Sequence, residues 1–93
     1  MKTVAIRHEP EARRFVADVG SETAYLSYRE LEGRMLDLDH TYVPRPLRGG
    51  GIASQLAAHA LTYARERGCL VVPSCSFVSA YMARHQEFRD LLA

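Results

Sequence analysis

The run Arg48-Gly49-Gly50-Gly51-Ile52-Ala53 constrains this chain more than any other segment. It stands between an extended stretch that stops at Pro44-Arg45-Pro46 and an amphipathic stretch that stops at Gly68. From Gly51 to Arg67, at about 100° per residue, Ile52, Ala53, Leu56, Ala57, Ala60, Leu61, Tyr63 and Ala64 share one half-circle. Ser54, Gln55, His59, Thr62, Arg65 and Glu66 fill the other. This periodicity predicts a helix, with Gly68 just past its end. Glycines let the chain turn through positive φ and let a ligand approach the backbone closely. The first N–H groups of a helix have no internal partner, and the helix dipole adds partial positive charge there. The junction therefore predicts an anion site, most often for phosphate. The glycines alone leave a second reading open, a flexible connection.

The kind of phosphate ligand can be narrowed. No Gly-Lys-Ser/Thr follows the glycines, and no lysine stands near to reach a γ-phosphate, which argues against a nucleoside triphosphatase loop. The dinucleotide fingerprint fails as well. Gly49 and Gly51 fit it, but Ser54 occupies the third glycine position, and no acidic residue follows at the required distance.

The flanking segments set the fold class. Thr3 to His8, Arg13 to Val19, Thr23 to Glu30 and Arg34 to Val43 read as strands separated by short polar turns, an antiparallel meander. Leu36 and Leu38 fall on one face of the longest strand, and Asp37, Asp39 and Thr41 on the other, so the sheet is expected to be covered on one side. Cys69 to Val72 is a short apolar strand closed by Pro73. Strand, helix and strand across residues 43–72 form a β-α-β unit with parallel strands. A last helix is expected from Ser76, with Phe77, Ala80, Tyr81 and Met82 as core contacts, and a short helical tail from His85 to Leu92. The fold class is α+β, in a single domain spanning residues 1–93.

Composition bounds the partners. Twelve Lys+Arg against eleven Asp+Glu leave a net charge of +1, far from the basic balance of a nucleic-acid binder. No run approaches the ~18 apolar residues of a membrane span, and the apolar run from Met1 to Ile6 is too short for a signal-peptide core. A cytoplasmic protein, monomeric or weakly dimeric, is expected. Cys69 and Cys75 bracket a strand of about 20 Å, too long for a disulfide. There is no CxxC, and His8, His40, His59 and His85 lack ligand spacing, so no metal site is expected.

The loop resembles the pyrophosphate loop of the GNAT acetyltransferases, Arg/Gln-x-x-Gly-x-Gly/Ala. Asp39-His40-Thr41-Tyr42-Val43-Pro44 before it, and Val72-Pro73-Ser74-Cys75-Ser76-Phe77-Val78 with Tyr81 and Arg84-His85 after it, resemble the small YjdJ-like branch of that superfamily. The resemblance covers roughly residues 23–92. It implies a minimal GNAT-like fold whose two central strands, ending at Val43 and Val72, splay apart to admit the pantetheine arm of acetyl-CoA. It implies cofactor contacts from Tyr42, Val43, Arg48, Gly49, Gly50, Gly51, Ile52, Ala53 and Ser54.

For catalysis, the resemblance places Cys75 near the acetyl thioester. A thiolate there could take the acetyl group, and the helix beginning near Ser76 would favour that thiolate. The alternative is a small packed residue. His40 could remove a proton from an incoming amine or from Cys75, or serve as a hydrogen-bonded structural histidine. Asp37 and Asp39 are alternative bases or part of a solvated face. Tyr81 could protonate the departing CoA thiolate, or simply be a core aromatic. Cys69 reads as packing, and His8, His59 and His85 show no partner in sequence. The resulting expectation is an N-acetyltransferase using acetyl-CoA and an amine or protein acceptor. Its rivals are a CoA-binding module or sensor without catalysis and, more weakly, a generic phosphate-binding domain.

Overall fold

The structure, a computed structural model, describes residues 3–93. Five strands form one sheet in the order β1-β2-β3-β4-β5: Arg7–Glu9, Arg14–Val19, Glu22–Leu31, Met35–Tyr42 and Leu70–Val72. The first four are antiparallel, and β5 is parallel to β4. Helix α1, Ile52–Glu66, connects β4 to β5, and helix α2, Ser76–Arg84, follows β5. The meander and the β-α-β unit are as the residue patterns predict.

The core lies on one face of the sheet. Phe15 and Ala17 of β2, Ala24, Leu26 and Tyr28 of β3 and Leu36 and Leu38 of β4 pack against Ile52, Leu56, Ala57, Ala60, Leu61 and Ala64 of α1. These helix residues all belong to the half-circle read from the sequence. Val78, Tyr81 and Met82 of α2 join the same cluster, whereas Ala80 is exposed. Val78 thus takes the core place expected for Ala80, and Phe77 is half-buried.

Three expectations are corrected at the chain's two ends and in β4. The first strand begins at Arg7 rather than Thr3, because the Val4 N–H is drawn to Gln55 Oε1 of α1 at 2.9 Å instead of to the sheet. The tail after His85 is a 3-10 turn, Gln86–Leu91, rather than an α-helix. Its end reaches β5: Leu92 pairs beside Val71, and the Ala93 N–H donates to the Val71 carbonyl at 3.0 Å. This gives the short outer strand a partner on its open edge.

The third correction concerns the face of Thr41. Tyr28 pairs with Leu38, but Ser27 pairs with His40, so Asp39 is an extra residue in β4. Such a bulge shifts the side-chain alternation by one residue. Beyond it, Thr41 pairs with Leu26 of the core face, and His40 and Tyr42 pair with Ser27 and Tyr25 of the far face. A strictly alternating reading had put Thr41 with Asp37 on the solvated face. Asp37 is not solvated either; it is 3% exposed.

Candidate active site

The last rung between the two parallel strands is Asp37 with Val72. Beyond it β4 runs on to Tyr42, whereas Pro73 ends β5. The chain then turns back, and the Cys75 N–H donates to the Leu38 carbonyl at 2.9 Å. A fork opens here between the end of β4 and the start of α2. The splayed pair expected from the sequence is present, and its short arm is only three residues long.

At the mouth of the fork lies the glycine loop. A 3-10 turn, Arg45–Leu47, leads into it, and the Arg48 guanidinium donates through Nε to the Val43 carbonyl at 2.9 Å. That bond ties the loop to the end of β4. Gly49 and Gly51 have φ of 86° and 82°, and Gly51 is the N-cap of α1 with no side-chain cap. Only glycine adopts such angles without strain. The first intrahelical bond is from the Gln55 N–H to the Gly51 carbonyl at 3.1 Å. The N–H groups of Ile52, Ala53 and Ser54 precede it and are the donors a helix start offers to an anion.

A cavity of about 280 Å³ opens over these groups. Val43, Arg48, Gly49, Gly51, Ile52, Ala53 and Ser54 line it, together with Leu47 and Phe77. Gly50 lines a second depression that shares Leu47, Arg48, Gly49 and Ile52 with the first. The structure thus brings together most of the cofactor contacts that the resemblance implies. The larger cavity of about 520 Å³ lies elsewhere, between Thr3, Val4, Ile6 and the flank of α1. It holds neither the glycines nor a helix start, so its size does not make it the anion site.

Cys75 is the N-cap residue of α2, and its Sγ lies 3.5 Å from Thr41 Oγ1 across the fork. The bulge at Asp39 makes this contact possible, because it turns Thr41 to the side of the cysteine. By the same shift His40 is turned to the far face, where it is exposed and its ring lies 5.9 Å from that of Tyr25. The contact of Cys75 is therefore with Thr41, which the sequence reading did not single out, and His40 stands on the opposite side of the strand. Tyr81 is buried, with its ring stacked on His85 at 3.9 Å and beside Phe77 and Phe88. Burial, reinforced by Glu87, raises its pKa and keeps the phenol protonated.

The carboxylates below the fork are tied to one cation. Arg29 donates to Asp37 Oδ2 at 2.7 Å and lies 3.9 Å from Asp39, whose Oδ1 accepts from Ser27 Oγ at 2.7 Å. Burial alone would raise the Asp37 pKa; hydrogen bonds from Ser74 and Arg29 outweigh it and hold the group below its ordinary value. Asp37 Oδ1 has no hydrogen-bond partner of good geometry. Away from the fork, His8 proves to be partnered after all. Its Nε2 meets Tyr28 Oη at 2.6 Å and its ring stacks on Phe15 at 4.4 Å. Among the described residues there is no group of three or more potential metal ligands, and no helix is long and apolar enough to cross a membrane.

A family profile described as GCN5-related N-acetyl-transferase matches residues 14–91. The chain belongs to the GCN5-related N-acetyltransferases. Protein NATD1 of Gallus gallus is 31% identical over 81 residues, covering 85% of this chain and 74% of that protein. Protein NATD1 of Homo sapiens is also 31% identical over 81 residues, covering 85% and 72%. The fold matches the NMR solution structure of a GCN5-like protein from Staphylococcus aureus with a TM-score of 0.76. That match covers 100% of this chain and 91% of the other at 24% identity. The likeness establishes the α+β GNAT fold.

Proposed function

We propose that this chain binds acetyl-CoA at the glycine loop and transfers the acetyl group to an amine by way of Cys75. The observation that carries the reading is the alignment of two features on one fork: a helix start with free amides behind Gly49 and Gly51, and a cysteine facing Thr41 at the far end. The pyrophosphate would lie against the N–H groups of Ile52, Ala53 and Ser54, with Arg48 beside it. The apolar strip of Val43, Leu47, Ile52 and Phe77 suits the pantetheine arm, which then runs toward Thr41 and Cys75. Residues 1–93 act as one domain in this reading. The motif from Pro73 to Val78 supports placement in the YjdJ-like branch.

The chemistry follows from the substrate. The Cys75 thiolate attacks the thioester carbonyl carbon, a new C–S bond forms, and the bond to the CoA sulfur breaks. The leaving CoA thiolate takes up a proton, a role that suits the Tyr81 phenol of α2, which stays protonated. An amine then attacks the acetyl-cysteine, the cysteine sulfur leaves, and the amine proton is lost to water. Release of the acetylated amine restores the thiolate.

Calorimetric titration with acetyl-CoA, CoA and ATP tests the binding half. Acetyl-CoA and CoA should bind and ATP should bind much more weakly, because the apolar strip has no counterpart in ATP. Equal binding of all three would favour a generic phosphate site. Binding without any acetyl transfer would favour the CoA-binding module.

A further inference from the structure

The far face of the sheet carries a group of side chains outside the cavity over the glycine loop; Tyr42, which the resemblance placed at the cofactor, is one of them. The bulge at Asp39 sends His40 and Tyr42 to this face, opposite Ser27 and Tyr25. The Tyr25 ring lies 5.7 Å from Tyr42 and 5.9 Å from His40. Tyr42 is 42% exposed, a high value for a ring at the end of a long central strand. The two helices pack against the other side of the sheet, so this ledge of rings faces outward beside the fork. Thr41, the next residue in the chain, touches Cys75.

Charge on this face is unbalanced. Arg29 is the single cation between Asp37 and Asp39, which leaves the trio with one formal negative charge in excess. Arg29 hydrogen-bonds Asp37 at 2.7 Å and lies 3.9 Å from Asp39, which is the more exposed of the two carboxylates. The rings themselves already hold a cation: the Arg14 guanidinium lies 5.6 Å over the Tyr25 ring, while among the described residues none lies over Tyr42. Cation–π attraction and an excess carboxylate both select positive charge.

Resting on the proposed acetyl transfer, we propose that the Tyr25–Tyr42 ledge with Asp39 is the acceptor platform. It takes a lysine-bearing polypeptide segment whose neighbouring residue is also basic. The second cation sits on Tyr42 while the reacting amine enters the fork beside Thr41. An open sheet face suits an extended chain, and adjacent strand residues are only about 3.3 Å apart, so one lysine side chain spans the step from ledge to fork.

The test compares two blocked peptides in acetyl transfer, Gly-Lys-Lys-Gly and Gly-Lys-Glu-Gly, with spermidine as a third acceptor. The lysine-flanked peptide should have the higher kcat/KM, with the Tyr42 ring contributing about two- to fivefold to the ratio. Tyr42→Ala should abolish that contribution, Tyr42→Phe should keep it, and Asp39→Asn should reduce the ratio further. The ratio between peptides is unaffected by any change in cofactor affinity. Equal rates on the two peptides, an unchanged ratio in Tyr42→Ala, or acetylation of spermidine alone would overturn the proposal. If acetyl-CoA binds but neither peptide is acetylated, the platform is wrong and the cofactor site stands. Absence of acetyl-CoA binding would instead overturn the cofactor reading and the platform with it.

Discussion

The Sγ of Cys75 lies 3.5 Å from the hydroxyl of Thr41, across the gap where the two parallel strands part. In the thiol form the sulfur donates to the hydroxyl oxygen. In the thiolate form the hydroxyl turns and donates to the sulfur. Thr41 therefore helps hold whichever form Cys75 takes, and the extra residue at Asp39 is what aims it there.

Replacing Thr41 tests this pairing. Thr41→Val keeps the shape and removes the hydroxyl. A single hydrogen bond is worth about 0.5–1.5 kcal/mol, so acetylation of Cys75 should slow roughly two- to tenfold. Thr41→Ser should stay near the wild-type rate. Stopped-flow or quenched mass measurements on the two variants give the answer, and equal rates would separate Thr41 from the chemistry.

The glycine loop gives a graded prediction. Gly50 lacks positive φ, and a Cβ there would meet only the Leu47 carbonyl oxygen at 3.5 Å. Gly50→Ala should therefore fold and bind acetyl-CoA almost normally. Gly51→Asp places a side chain at φ 82° and a negative charge beside the helix amides. It should lose at least tenfold in affinity, since the added carboxylate repels pyrophosphate at the helix start. Titration of both variants, with circular dichroism to confirm folding, decides the matter.

Asp37 and Arg29 should respond unequally to substitution. Asp37 is buried, whereas the Arg29 side chain is 67% exposed. Arg29→Ala leaves a buried carboxylate short of a partner and should destabilise the fold by about 1–3 kcal/mol. Asp37→Asn leaves an arginine in water and should cost less. The lowered Asp37 pKa means that its stabilising effect is full above the unfolded value of about 3.9 and is lost as pH falls through the lower folded value. Arg29→Ala should shrink that acid dependence. Urea unfolding between pH 3 and pH 7 reads both effects.

His8 sets a second pH window. Burial, with the nearby charges of His59 and Arg67, lowers its pKa. The unfolded chain then takes up the proton more readily than the folded one. Stability should be full above the unfolded value of about 6.5 and fall as pH drops through it toward the lower folded value. The partner Tyr28, raised to about 12 by burial first and by Tyr63 and Glu30, stays protonated throughout. His8→Gln should have a lower melting temperature at pH 8 and a flatter profile between pH 5 and pH 7. An unchanged slope would assign that window to other groups.

Much of this was legible in the residues. The half-circle of α1, the meander and the glycine loop follow from periodicity and glycine placement, and the core residues of α1 were all among those named. Thr41 was not legible, because a bulge adds one residue to a strand and leaves no mark in an alternating pattern. Read with strict alternation, Thr41 joins the acids and His40 joins the core side. The pairing of His8 with Tyr28 joins residues twenty apart in sequence, and only the strand register brings them together. Phe77 reads as a core residue from sequence, and its place at the cavity over the glycine loop depends on how α2 sits after the fork.

The central claim is that acetyl-CoA delivers its acetyl group to Cys75. Intact-mass analysis after incubation with acetyl-CoA, followed by peptide mapping, measures this directly. The account predicts one added acetyl group on Cys75, forming faster as pH rises because the thiolate is the nucleophile. Cys75→Ala should bind acetyl-CoA and remain unmodified, and should lose transfer to an amine. Full amine acetylation by Cys75→Ala would contradict the covalent route.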